Sequence, residues 1–182
     1  MRGTALSLRR YLRVFDPRAM NDVSGETMDA IELLIRKAER KDLEAIVALF
    51  ANDPLGGHGD TTDPEAFADY AAAFDRIEAS TLQTLFVAVL EGQVVGTFQT
   101  ALHTSLSGRG SSSLIVEAVQ TRADMRGRGI GERMLRHAIG EAREKRAKKV
   151  RLTSNAVRTD AHRFYERLGF VRSHFGFHLP LK

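Results

Sequence analysis

One stretch, Val119 to Gly131, constrains this chain more than any other. It joins an apolar run, Leu114 to Val119, to an amphipathic run that starts at Ile130, so a strand hands over to a helix there. Gly127, Gly129 and Gly131 alternate with Arg126 and Arg128 along the junction. Glycine lets the backbone approach a ligand and tolerates positive φ. The free N–H groups of a first helical turn attract anions, and the two arginines add full positive charge. Together they describe a diphosphate pocket built mostly from backbone. No Gly-Lys-Ser/Thr follows, which excludes a nucleotide P-loop. The alternating glycines also miss the G-x-G-x-x-G spacing of dinucleotide folds.

The 182 residues amount to a single-domain length, and 43% hydrophobic with 27% charged residues is an ordinary globular composition. No apolar run approaches the roughly 18 residues that span a bilayer, so the expectation is a chain outside the membrane and in the cytoplasm. Cysteine is absent, which removes disulfides, thiolate catalysis and cysteine-held zinc. The six histidines, His58, His103, His137, His162, His174 and His178, show no zinc spacing, so no metal is expected. The net charge of +4 is modest, but residues 122–151 hold eleven Lys/Arg against four Asp/Glu. Part of that excess is the solvated face of an amphipathic helix, and part suits a polyanionic ligand. The basic residues are not interleaved with exposed aromatics and carry no reader motif, so no nucleic acid is expected.

Residues 1–30 differ from the rest: Arg2, Arg9, Arg10, Arg13 and Arg18 stand against Asp16 alone within the first twenty. They read as an N-terminal extension, flexible or loosely packed, ahead of a single domain over 31–182. Periodicity then predicts a strand at 31–36, a helix capped by Asp42 with Leu43, Ile46, Val47 and Phe50 on one face, and a Gly/Asp/Pro loop over 52–64. A helix over 65–78 carries Phe67, Tyr70, Phe74 and Ile77 as core and groove wall. A hairpin over 84–101 turns at Glu91-Gly92, and a polar loop over 103–113 leads to a strand at 114–121. A helix at 130–146, a strand at 150–154, a helix at 160–168 with Gly169 as C-cap, and a closing strand at 171–179 complete the pattern. A hairpin followed by βαβ makes an α/β (α+β) fold with a mixed sheet.

Arg126-x-x-Gly129-x-Gly131 fits Arg/Gln-x-x-Gly-x-Gly/Ala. Downstream, Asn155 precedes Ala161-His-Arg-Phe164-Tyr165-Glu-Arg-Leu-Gly169-Phe170, and upstream lies the hairpin Leu85 to Gly96. In this order the motifs resemble the GNAT superfamily of acetyl-CoA-dependent N-acetyltransferases over about residues 31–182. The resemblance implies a mostly antiparallel mixed sheet flanked by helices, whose splayed central strands form an acetyl-CoA cleft. It implies acetyl-CoA as co-substrate, a small-molecule or protein amine as acceptor, and a homodimer. By the same resemblance Val119 and Thr121 supply backbone to the pantetheine arm, Arg126, Gly127, Arg128, Gly129, Ile130, Gly131 and Glu132 wrap the pyrophosphate, and the Asn155 side chain contacts the cofactor arm.

Acetyl transfer to an amine needs a base, a polarised carbonyl and an acid for the leaving thiolate. Glu117 is the only acid in Leu114 to Val119, and an acid in such a run is expected to be partly desolvated, with its pKa raised toward neutrality. The family often places its base on this strand. Tyr165 matches the phenol that lies beside the CoA sulfur in the family, and an ordinary pKa near 10 suits it as the acid. Without cysteine, direct attack in a ternary complex is implied. The segment Asp160 to Tyr165 with Ser173-His174-Phe-Gly-Phe177 is also similar, over barely twenty residues, to the end of aminoalkylphosphonate acetyltransferases, some of which use a divalent metal. The alternative is a non-catalytic acyl-CoA-binding domain of the same family, acting as a sensor or interaction module.

Overall fold

The computed structural model describes residues 33–181 apart from 54 and 56–58. The extension expected at 1–30 lies outside the described residues. Five strands form one sheet in the order β1-β2-β3-β4-β5: β1 Leu34–Lys37, β2 Gln83–Leu90, β3 Gln93–Thr104, β4 Ser112–Thr121 and β5 Lys149–Leu152. The first four are antiparallel and β5 runs parallel to β4, so the sheet is mixed as expected. Helices α1 Leu43–Ala51 and α2 Phe67–Glu78 join β1 to β2, a single turn α3 Ser107–Gly110 joins β3 to β4, α4 Ile130–Glu144 crosses from β4 to β5, and α5 Thr159–Arg167 follows β5.

Alternation along β2 shows how the layers form. Leu85, Val87 and Val89 pack with Leu43, Ile46 and Val47 of α1 and Phe74 of α2. Phe86 and Ala88 face the other way and join Val95, Phe98, Leu114 and Val116 under Ile130, Met134, Leu135, Ala138 and Ala142 of α4. Both faces of the sheet are covered, so β2 reads as a continuous apolar run. Phe67, Tyr70 and Ile77 pack against the α1/α2 cluster, which is the core role expected of them. Gly96 is set by close approach: a Cβ there would meet the Met134 sulfur at 3.0 Å, so α4 could not lie as near to β3. The tight hairpin is made by Glu91 at φ 50° and Gly92 at φ 77°, both left-handed, as a two-residue connection requires.

Three local expectations are corrected. Asp42 does not cap α1 with its side chain. Its carboxylate takes two hydrogen bonds from Arg36, at 2.6 and 2.9 Å, and one from the Glu39 N–H at 2.8 Å, closing the 3-10 turn Arg40–Asp42 instead. The helix expected at 160–168 starts at Thr159 instead, so Asp160 lies inside its first turn, paired with Arg163, and Arg158 occupies the residue before it. The largest correction is the closing strand at 171–179: residues 171–181 form no helix or strand and all are exposed. The sequence alternates as a strand must, but among the described residues no neighbour supplies the backbone partners that a strand needs.

Candidate active site

The site begins with an irregularity in β4. Thr97 pairs with Gln120 and Gln99 with Glu117, so Ala118 and Val119 together oppose Phe98. Ala118 takes φ 51° to fit the extra residue. A bulge of this kind shifts the parity of everything after it. Leu114 and Val116 contribute to the core beneath α4, and Val119 packs against the same cluster although it is an odd-numbered residue. Glu117, by plain alternation from Val116, and Gln120, by the bulge, are both left to the opposite side, where α1 and α2 lie.

The second irregularity is a parting of strands. β4 and β5 pair from Ser113–Lys149 to Val116–Leu152 and no further. Beyond that point β4 continues through Thr121, while the chain after Leu152 leaves the sheet. The backbone of 117–121 is left without a strand neighbour on that side, which opens a cleft. Ser154 is placed just past the fork, and its hydroxyl is buried without a hydrogen-bond partner among the described residues. A buried orphan of this type is unfavourable until a ligand meets it.

The glycine–arginine loop sits at the far end of the cleft. After the 3-10 turn Ala123–Met125 the chain is extended at Arg126, left-handed at Gly127 (φ 77°) and left-handed again at Gly129 (φ 77°, ψ 0°), the residue before α4. A Cβ on Gly127 or Gly129 would meet nothing within 4 Å, so backbone conformation and not crowding demands glycine there, and open space surrounds the loop. Gly131 differs, since its Cβ would touch the Phe164 ring at 3.4 Å. It lets α5 pack on the start of α4. The Arg126 guanidinium donates to the Thr121 carbonyl at 3.3 Å, which ties the loop to the end of β4. Arg128 is exposed, Ile130 is buried in the core, and Glu132 is engaged by Arg136 at 2.6 Å. The first turn of α4 therefore offers backbone N–H groups and guanidinium charge to an anion, with its acid already neutralised.

The remaining expected residues divide. Tyr165 and Phe164 both pack against the α4 cluster. The Tyr165 ring lies against Phe164 and Phe170, with centroids 5.3 and 6.0 Å apart. Burial pushes its phenol above the ordinary tyrosine value, opposed by the charge of Arg158. Asn155 folds back on itself: its side-chain oxygen accepts the Val157 N–H at 3.1 Å, and its carbonyl meets the His162 ring at 2.9 Å. Glu117 is a correction. The apolar run predicts a partly desolvated acid, but the side chain is exposed and makes no hydrogen bond or ion pair among the described residues. Ordinary alternation from Val116 turns it away from α4, and it is the last residue of β4 before the bulge, beside the point where β5 leaves.

No sequence motif points to the group that ties the site together. The Asp53 side chain, just past α1, is 4% exposed. It accepts hydrogen bonds from both guanidinium nitrogens of Arg158, from the Gln120 amide at 2.6 Å and from the Leu55 N–H at 3.3 Å. Burial alone would raise its pKa, but these donors together outweigh that effect and hold the carboxyl below the usual carboxylate range. The group joins the end of α1, the released half of β4 and the loop after β5. The partners are up to 105 residues apart, so no local pattern could reveal them. Nearby, Tyr70 donates to Asp60 and accepts the Thr61 N–H, pinning the far end of the loop over 52–64 to α2.

An open mixed sheet with helices on both faces, a fork between its parallel strands and a glycine loop at the following helix define an acyl-CoA-type transferase architecture. The model of the Acetyltransferase (GNAT) family matches residues 43–170, and the chain belongs to that family, which makes it an acyltransferase. It is 37% identical over 112 residues to an aminoalkylphosphonate N-acetyltransferase from Salmonella typhimurium, covering 60% of this chain and 72% of that one. Among solved structures it is similar to a transcriptional regulator from Bacillus halodurans (34% identity, TM-score 0.79, 82% of this chain and all of that one). A putative acetyltransferase from Agrobacterium tumefaciens is also similar, at 30% identity and a TM-score of 0.69, over 81% of this chain and 99% of that one. Among the described residues no helix is long and apolar enough to cross a membrane.

Proposed function

We propose that the protein transfers an acetyl group from acetyl-CoA to a primary amine by direct attack in a ternary complex. The observation that carries this reading is the end of β4–β5 pairing at Val116–Leu152, immediately ahead of the glycine loop. Those residues fit the cofactor. The unpaired backbone at Val119 and Thr121 suits the amide-bearing pantetheine arm, and the Ser154 hydroxyl and the Asn155 side chain stand on the opposing lip. The N–H groups from Arg126 to Glu132, with the Arg126 and Arg128 guanidinium groups, suit the pyrophosphate. Acetyl-CoA, when bound, supplies a thioester carbonyl as electrophile and a thiolate as leaving group.

The chain's own residues handle the protons. Glu117, exposed at the cleft mouth, takes the proton of the incoming ammonium directly or through a water molecule. Tyr165, whose burial favours the protonated phenol, returns a proton to the sulfur. The chain has no cysteine to carry the acetyl group, in keeping with a single direct transfer. The similarity to the Salmonella typhimurium enzyme makes aminoalkylphosphonates the first acceptor class to try.

The test is a thermal shift with acetyl-CoA, CoA, ATP and NADH, followed by thiol release over aminoalkylphosphonates, amino acids and aminoglycosides. A ligand at 100 times its Kd stabilises by about 2.7 kcal/mol, a shift of several degrees in a domain of this length. A shift with acetyl-CoA and CoA alone, then thiol release with one acceptor class, is the expected result. Absence of a shift in folded protein overturns the cofactor reading. A shift with no turnover of any amine would replace catalysis by the sensor role.

A further inference from the structure

The face of the sheet that bears Glu117 holds a charge of the opposite sign. Val150 and Leu152 pack beneath α4, so alternation along β5 sends Lys149 and Arg151 to the other face, the one that carries Glu117. The register sets Lys149 beside Ser113 and Arg151 beside Ile115, two residues short of Glu117 on β4. With ~4.8 Å between strands and ~3.3 Å per residue, the Cα atoms of Arg151 and Glu117 lie about 8 Å apart. Long side chains reach across a diagonal of this size. Yet both side chains are exposed, and among the described residues neither makes a hydrogen bond or an ion pair.

Neighbouring guanidinium groups are engaged elsewhere. Asp53 holds Arg158, Asp124 holds Arg122, Asp160 holds Arg163, and Arg126 donates to the Thr121 carbonyl. Lys149, like Arg151, is exposed and unengaged among the described residues. β5 therefore lines up two cations in a row that leads toward the base. On the other flank, Gln99 stands directly across from Glu117 on β3. Its amide nitrogen donates to Gln83 at 2.9 Å, which fixes the group and leaves its oxygen to accept from an ammonium. A carboxylate with an amide oxygen at one end and a guanidinium at the other complements a molecule that carries the reverse pair of charges.

We infer that Arg151 selects the acceptor and that the acceptor is a short aminoalkyl acid, bound as a zwitterion; this rests on acetyl transfer taking place at the cleft. The ammonium meets Glu117 and Gln99, and the acid takes two parallel N–H donors from the Arg151 guanidinium. Hydrogen bonds of about 2.9 Å at each end use up most of the separation, so amine and acid must be joined by a linker of only a carbon or two. Lys149, further along the same face, adds a second cation. It favours an acid with more than one negative charge, a phosphonate over the carboxylate with the same linker.

The experiment measures kcat/KM with acetyl-CoA for aminoethylphosphonate, its diethyl ester, the carboxylate with the same linker and ethylamine. Wild type is compared with Arg151→Met, Arg151→Lys and Lys149→Met. Both positions are exposed, so the variants should keep their fold, checked by circular dichroism. Wild type should prefer the phosphonate over the ester and ethylamine by about tenfold or more, the worth of a charge-assisted hydrogen bond. Arg151→Met should bring that ratio close to one, and Arg151→Lys, which keeps the charge without the planar fork, should restore part of it. Lys149→Met should narrow the ratio of phosphonate to carboxylate. Equal use of phosphonate and ester by wild type, or a preference that survives Arg151→Met, overturns the inference and leaves acetyl transfer standing. A parallel fall for every amine in Arg151→Met overturns it too, by assigning the side chain to structure. Turnover of no amine at all by wild type overturns acetyl transfer, and the selection by Arg151 falls with it.

Discussion

Replacing Asp53 with alanine tests whether the start of the loop over 52–64 is locked to the cleft. The substitution removes the acceptor of four hydrogen bonds and strands the Arg158 guanidinium and the Gln120 amide. Taking one partner from a buried ion pair costs about 3–5 kcal/mol. Arg158 keeps a quarter of its side-chain surface exposed, so water offsets part of that loss, and ~2–3 kcal/mol is the expected destabilisation. Each kcal/mol moves the Tm of a domain this size by roughly 2–4 °C, giving a fall of about 4–12 °C. The assay is urea unfolding of wild type, Asp53→Ala, Arg158→Ala and the double variant, with a coupling energy above ~1 kcal/mol expected for contacting partners. The pH dependence has a definite sign. The Asp53 carboxyl is held below its ordinary value, so its contribution is complete above the unfolded pKa near ~3.9 and disappears as pH falls through the folded value. The gap between wild type and Asp53→Ala should therefore be constant at neutral pH and close in acid. A loss under ~0.5 kcal/mol, or strict additivity in the cycle, would refute the claim that this group holds the site together.

Three further substitutions address the site directly. Glu117→Gln should lower kcat/KM by about 10²-fold or more and flatten the acidic limb of its pH profile; an unchanged profile would remove Glu117 as the base. Tyr165→Phe should slow kcat by about tenfold to a hundredfold with little change in KM, and equal kcat in both proteins would assign the ring to packing alone. Gly129→Val must hold φ 77° with a β-branched side chain, at a cost of about 1–2 kcal/mol, and it places methyl groups where the diphosphate is expected. Calorimetry should show CoA affinity reduced at least tenfold, and normal affinity would separate the loop from the cofactor.

Local pattern made most of this architecture legible. The short continuous apolar run of β2, the 3.6-period face of α4 and the Glu91-Gly92 turn each determine their own conformation. What could not be read depends on partners. Ala118 gives no sign that it will sit in a left-handed bulge, so the side of β4 on which Val119 and Gln120 emerge is hidden, and the exposure of Glu117 depends on β5 leaving the sheet beside it. Asp53 and Arg158 meet only because α1 and the loop after β5 converge on the same fork. The strand expected at 171–179 shows a different limit. Alternation reports that a segment is suited to pairing, whereas pairing itself requires an edge that the sequence does not specify.

The bulge at Ala118 divides β4 into two stretches under different selection. Before it, Leu114 and Val116 are fixed by the packing beneath α4, and any change of volume is felt by the whole domain. After it, the backbone is free of β5 and the residues border a cleft, where side chains other than Val119, which still packs beneath α4, can be exchanged with little effect on the core. One residue in an uncommon conformation thus lets a single strand be conservative at one end and inventive at the other. A saturation scan along 112–121 that reads folded yield should show tolerance rising after Val116, with Val119 the exception, and descendants of this scaffold would acquire new acceptors by altering the exposed positions of the second stretch.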